Sequence, residues 1–191
     1  MKRIITLIVL ALVSVSTMMY AQSSNENRNA ERKAKRETEK ARIKAEEERA
    51  YTLAAKALQE GKFVLEADQL LFKRGRNAFV SSTTNFVMMD GNDASVQIAA
   101  SSAFAGPNGI GGITVDGTIR ELKVKTDKKG TMNCSFSVQG IGISAQVTIT
   151  LMHGGNKATA RISPNFNSNN LSLSGRLVPL SQSNVYKGRS L

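Results

Sequence analysis

The chain has 191 residues, with 26 Lys and Arg against 15 Asp and Glu, one histidine, one cysteine and no tryptophan. One cysteine excludes an intramolecular disulfide and one histidine excludes a histidine-cluster metal centre, so no metal is expected and the domain must be held by its core. The net charge of +11 would point to nucleic acid in a cytoplasmic protein, but the N-terminus redirects that reading.

Met1-Lys2-Arg3 supplies a short positive region, and Ile4 to Val15 is an apolar run too short to span a bilayer before Ser16 and Thr17. This is the pattern of a cleavable secretory signal over residues 1–21, cut after Ala21. Met19 is larger than the small residue usual at that position of a cleavage site, and an uncleaved anchor is the alternative. No cysteine stands near Ala21 to carry a lipid. The expected location is periplasmic or extracellular, with no spanning membrane segment after cleavage. There a basic chain meets an envelope protein, anionic glycans or lipid head groups as partners, and no nucleic acid.

Residues 22–61 predict a charged helix. From Glu26 to Gln59 there is no Pro or Gly, and Ala, Glu, Lys and Arg dominate. Pairs such as Glu31 with Lys35 and Arg42 with Glu46 support a helix at spacing four. Up to Ala50 only Ile43 is apolar, so that stretch is solvated. Tyr51, Ala54, Ala55 and Leu58 then form an apolar stripe at helical spacing, which packs on the β-rich region after it, and Gly61 stops the helix. A dimeric coiled coil is the alternative, but the heptad is not sustained.

Residues 62–191 change to period two. Phe63 to Leu71 alternate, then Val80 to Met88 with Phe86 and Met88 on the apolar face, a tight turn at Asp90-Gly-Asn-Asp93, and Ala94, Val96, Ile98, Ala100. Ile113 to Val124 read as one long strand whose phase slips between Ile119 and Leu122, as a bulge at Arg120-Glu121 produces. Asp127-Lys-Lys-Gly130 turns it into Met132, Cys134, Phe136 and Val138 on one face. Ile143 to Leu151, a turn at His153-Gly-Gly-Asn156, Ala158 to Ile162, and Leu171 to Leu177 complete about eight strands. The fold class is therefore mainly β: an antiparallel meander forming a closed or nearly closed barrel, with a two-sheet sandwich as alternative. An outer-membrane barrel is rejected, because one strand face is Ser, Thr, Asn and Gln and no tryptophan girdle exists.

Four stretches carry a family resemblance: AGPNGIGGITVDGTI (105–119), GIGISAQVTITL (140–151), ISPNFNSNNLSLSGRLVP (162–179) and SNVYKGRSL (183–191). Across roughly residues 50–191 the chain resembles the secreted family catalogued as domain of unknown function 4251. The resemblance implies a signal peptide, a variable charged segment and a β-rich domain. It implies no activity, cofactor or catalytic residue.

The Gly-rich stretch from Gly106 to Gly112 invites comparison with a phosphate cradle. Ile113 stands where a P-loop needs Lys, Thr114 stands where a dinucleotide fingerprint needs Gly, and a strand comes next instead of a helix. Asp90 and Asp93 make a turn, and calcium there would need more oxygen ligands. His153, in a Gly-Gly-Asn turn, is exposed rather than preorganised for catalysis. Cys134 is a buried apolar side chain with no His or Lys on its face to activate it. Glu66 and Asp68 share a strand face, which keeps a hydrolase open as a reading. The leading reading is a non-catalytic binding or structural domain with no cofactor; a barrel carrying an apolar or amphipathic ligand is the alternative. Its contact residues are expected at the loop ends Gly106, Pro107, Asn108, Gly109 and Asn165, Phe166, Asn167. A basic patch is expected at Lys73, Arg74, Arg76, Lys123 and Lys125.

Overall fold

The helix-forming composition is realised as one helix, α1 (Lys2–Glu60), ended by Gly61 at φ +64°. A computed structural model of the chain describes residues 2–72, 75, 77–99, 112–140, 144–165 and 170–188, with side chains from residue 28 onward except at 112 and 113. The chain divides into two units, Met1–Ala45 and Glu46–Leu191. In the first, the side chains from Arg28 to Ala45 are exposed, as their polarity predicts, and Arg42 bonds Glu39 at 2.8 Å. No helix among the described residues is long and apolar enough to cross a membrane.

The second unit holds the last turns of α1 and nine strands: β1 (Lys62–Phe72), β2 (Asn77–Phe79), β3 (Phe86–Asp90), β4 (Asp93–Ala99), β5 (Gly112–Thr126), β6 (Met132–Gly140), β7 (Ser144–Leu151), β8 (Lys157–Pro164) and β9 (Leu171–Pro179). Strands β3 to β9 form a meander in chain order. β1 pairs with β3 on one edge and β9 on the other, so eight strands close into an antiparallel barrel and β2 is an extra strand on β1. The expected barrel is the observed one.

Eight strands leave an interior that side chains can fill. Phe63, Leu65, Val87, Cys134, Phe136, Val147, Ile149, Leu173 and Leu177 fill it and are fully buried. The stripe on α1 stops one end: Ala54 and Leu58 are fully buried in the same core, with Tyr51 and Ala55 packed against it. The outward positions of β6 to β8 are polar, including Asn133, Ser135, Gln146, Thr148 and Arg161, which is the reverse of a lipid-facing barrel. Burial pushes the Cys134 thiol up to about 12.

Turns and bulge agree with the sequence pattern. Asp90 pairs with Asp93 across Gly91 and Asn92, Gly91 having φ +62°. The β5–β6 register shifts between Arg120 and Lys123, with Glu121 left-handed at φ +56°. Asp127 accepts the N–H groups of Thr131 and Lys129, each at 2.8 Å, and these bonds hold its carboxyl below the ordinary 3.8.

Two expectations need correction. The strand expected from Val80 to Met88 begins only at Phe86: residues 82–84 form a turn, closed by bonds from Thr84 N and Asn85 N to Ser81 O. Its phase is also shifted by one. Val87 and Met89 face the interior, while Phe86 and Met88 lie on the other face, because four consecutive apolar residues leave the period ambiguous.

The seam between β1 and β9 carries a bulge between Ala67 and Gln69. There Gly175 lies so close to β1 that an added Cβ would stand 1.9 Å from Glu66 O. Gly175→Ala is expected to destabilise the barrel by about 3 kcal/mol, the upper end for overpacking. Chemical denaturation checks this, and an unchanged midpoint would refute the tight seam. For Asp127, a depressed folded value means that its contribution is present above the unfolded value and lost as pH falls. The stability gap between wild type and Asp127→Asn should be constant at neutral pH and close below about pH 4. Unfolding curves at several pH values measure it.

Candidate functional site

Two runs, Phe63-Val-Leu65 and Phe86-Val-Met-Met89, are apolar on both faces of a strand, a pattern that calls for cover on both sides. Their outward members Val64 and Phe86 are fully buried. The chain beyond β9 supplies the cover. A 3-10 turn, Leu180–Gln182, packs on β1 and β3, and residues 183–188 continue over the outside of the barrel.

This segment is pinned at four points. Ser183 Oγ donates to Glu66 Oε1 at 2.8 Å, and Tyr186 N donates to Thr83 O at 2.7 Å. Lys187 Nζ lies 2.9 Å from Asp116 Oδ1, to which Ser95 Oγ also donates. At the centre is the fully buried Gln97 of β4. Its Nε2 donates to Tyr186 O at 2.7 Å and Thr84 O at 3.0 Å, and its Oε1 accepts from Gly188 N at 2.7 Å and Thr114 Oγ1 at 3.0 Å. The amide thus uses two donors and two acceptor sites, its whole capacity. Thr114 and Ser95 are buried beside it.

A second amide mends the gap left by the late start of β3. Asn85, fully buried, donates to Ala99 O at 3.1 Å and accepts from Ala99 N at 2.8 Å. Its side chain stands in for one peptide group of the ladder beyond the Phe86–Gln97 pair.

The sequence-predicted residues fall elsewhere. Gly106, Pro107, Asn108, Gly109, Phe166, Asn167, Lys73, Arg74 and Arg76 lie outside the described residues. Asn165 is exposed and bonds Ser144 through N at 3.0 Å and Nδ2 at 2.7 Å. Lys123 and Lys125 are exposed on β5. Glu66 is engaged by Ser183 and lies 4.0 Å from Arg176, whereas Asp68 is exposed in the bulge. His153 sits with the helix: its ring meets Tyr51 edge-on at 4.8 Å, and its Nε2 is 3.9 Å from Glu48 Oε1. Tyr51 in turn donates to Gly130 O, tying α1 to two turns. Glu66 and His153 therefore have separate partners. Among the described residues no three His, Cys, Asp or Glu side chains group as a metal site requires.

Two open clefts flank the helix. One of about 530 Å³ lies between Leu53, Lys56, Glu60, Lys62, Asp90 and the 3-10 turn; the other, about 430 Å³, lies between Glu46, Ala50 and the His153 turn. Both are outside the strand barrel.

Sequence reasoning missed Asn85, Gln97, Thr114 and Asp116. A periodic pattern does not separate Gln97 from the exposed Gln139. The doubled apolar runs at 63–65 and 86–89 were the available signal.

Residues 45–177 match the family model described as "Domain of unknown function (DUF4251)", a range that starts one residue before the unit containing the barrel. The chain is also similar to a crystal structure of a DUF4251 family protein from Bacteroides eggerthii DSM 20697, at 54% identity and a TM-score of 0.67, covering 78% of this chain and 99% of that one. No curated protein matches.

Gln97→Glu keeps the shape of the side chain but turns an acceptor toward Thr84 O and Tyr186 O. We expect a loss of about 3 kcal/mol, from two lost donors in a buried site. Amide exchange of Tyr186 and Gly188 should accelerate well before that of β6 and β7. Equal protection of both regions in wild type and variant would contradict the central place given to Gln97.

Proposed function

Since the chain belongs to the family of domain of unknown function 4251, we propose that it is a non-catalytic binding or structural domain of the cell envelope, exported to the periplasm or cell exterior. The observation that carries this reading is the filled interior. Among the described residues the barrel axis is occupied by fully buried apolar side chains, from Leu58 at the helix end to Phe136 and Leu173. A barrel without internal room works through its surface.

Export is supported by the positive, apolar and polar order of residues 1–21. The non-catalytic reading is supported by the side chains themselves. Glu66 is held by the segment after β9, His153 packs on α1, and Cys134 is buried with its thiol pushed up to about 12. None of these arrangements pairs a nucleophile with a base.

The exposed Lys123 and Lys125, beside Lys128 and Lys129 of the β5–β6 turn, offer a basic surface to an envelope protein, an anionic glycan or lipid head groups. The paired variant Lys123→Glu with Lys125→Glu tests this without touching the core. Pulldown from an envelope fraction, with protein, glycan and lipid all analysed, should recover a partner with wild type and about tenfold less with the variant at physiological salt. Equal recovery by both proteins, or nothing recovered by either, would count against the proposal.

A further inference from the structure

The groove under residues 183–188 is built to recognise an extended backbone. Gln97 reads the carbonyl of residue 186 and the N–H of residue 188, and Thr83 O takes the N–H of residue 186. Two side chains of the segment are read as well: Ser183 by Glu66 and Lys187 by Asp116. Tyr186 turns outward, 64% exposed. Residues 183–188 form no strand, so no ladder fastens them to the sheet. A segment held by a few bonds and one partly exposed ion pair opens more readily than the barrel beneath it.

Such opening would uncover a preformed site: Phe86, paired between Glu66 and Gln97, as an apolar floor, the Gln97 amide as a backbone reader, and Asp116 as a fixed charge. Its chemistry suits an extended segment carrying a cation followed by a free backbone N–H. We propose that this groove also accepts residues 183–188 of a second copy of this chain, so that two copies join by exchanging segments. Every hydrogen bond and the Lys187–Asp116 pair would be remade across the two chains, so exchange sacrifices no contact of the site. The balance between closed and exchanged forms is then set by protein concentration against the effective concentration of the tethered segment.

Charge reversal tests the idea. In Asp116→Lys the groove repels its own Lys187, and in Lys187→Glu the segment is repelled by its own Asp116. In a mixed pair both crossed contacts are attractive: the Lys187→Glu segment meets the Asp116→Lys groove with opposite charge, and the Lys187 segment of the Asp116→Lys chain meets the unaltered Asp116 of the other. Each variant alone should be monomeric by light scattering, and an equimolar mixture, warmed and recooled, should contain a one-to-one dimer. A mixture that stays at monomer mass, with both variants folded by circular dichroism, overturns the proposal. If Asp116→Lys fails to fold, a labelled peptide of residues 183–191 is titrated into the Lys187→Glu chain, whose groove is unaltered. Saturable binding, weakened about tenfold when the peptide carries glutamate in place of Lys187, supports exchange. No saturation up to about 1 mM overturns it.

Discussion

Closure of the barrel depends on β1, because a single strand must satisfy partners on both edges and does so with three strands. Its first half pairs with β3 and its second half with β2, while β9 runs along the other edge for nearly its whole length. The strand is eleven residues long against five for β3, so the mismatch has to be absorbed somewhere. It is absorbed by the turn before Asn85 and by β2, which pairs with the rest of that edge. The buried amide of Asn85 follows from that length difference, whereas the missing Cβ of Gly175 answers a bulge on the opposite edge, where β1 meets β9.

With β1 in place, the two sides of the barrel differ. Along β6, β7 and β8 the sheet has one buried and one polar face, the simple antiparallel arrangement. Along β1, β3, β4 and the start of β5 the outer face is covered as well, with an apolar floor at Val64 and Phe86 and a polar row at Ser95, Gln97 and Thr114. Burial of such polar groups is tolerable only when each finds a partner. No buried side-chain nitrogen or oxygen among the described residues lacks a hydrogen-bond partner. The covered arc is thus a second layer in which amides do what methyl groups do inside.

The legibility of these parts differs for a physical reason. The face formed by Met132, Cys134, Phe136 and Val138, the turn at Asp127, the slip near Glu121 and the helical stripe from Tyr51 to Leu58 are local patterns, each fixed by neighbours in sequence. They read directly. The phase of residues 86–89 did not, because apolar side chains there serve two layers and periodicity assumes one. Gln97 was illegible because its partners stand at Thr84, Thr114, Tyr186 and Gly188, three separate places in the chain apart from its own strand. The family resemblance marked SNVYKGRSL as distinctive without saying why. Its Tyr186, Lys187 and Gly188 are the residues that meet Gln97 and Asp116.

The pairing of Phe63 with Pro179 joins the beginning of the β region to its end. A nascent chain that emerges from its N-terminus can form the hairpins from β3 to β8 early, since those contacts are local. It cannot close the ring, bury the outer face of β1 or satisfy Gln97 until β9 and the segment after it are available. Folding of this domain is therefore gated by its last strand. Before that strand arrives, the chain is an open sheet with two exposed edges, the form most dependent on being kept apart from its neighbours.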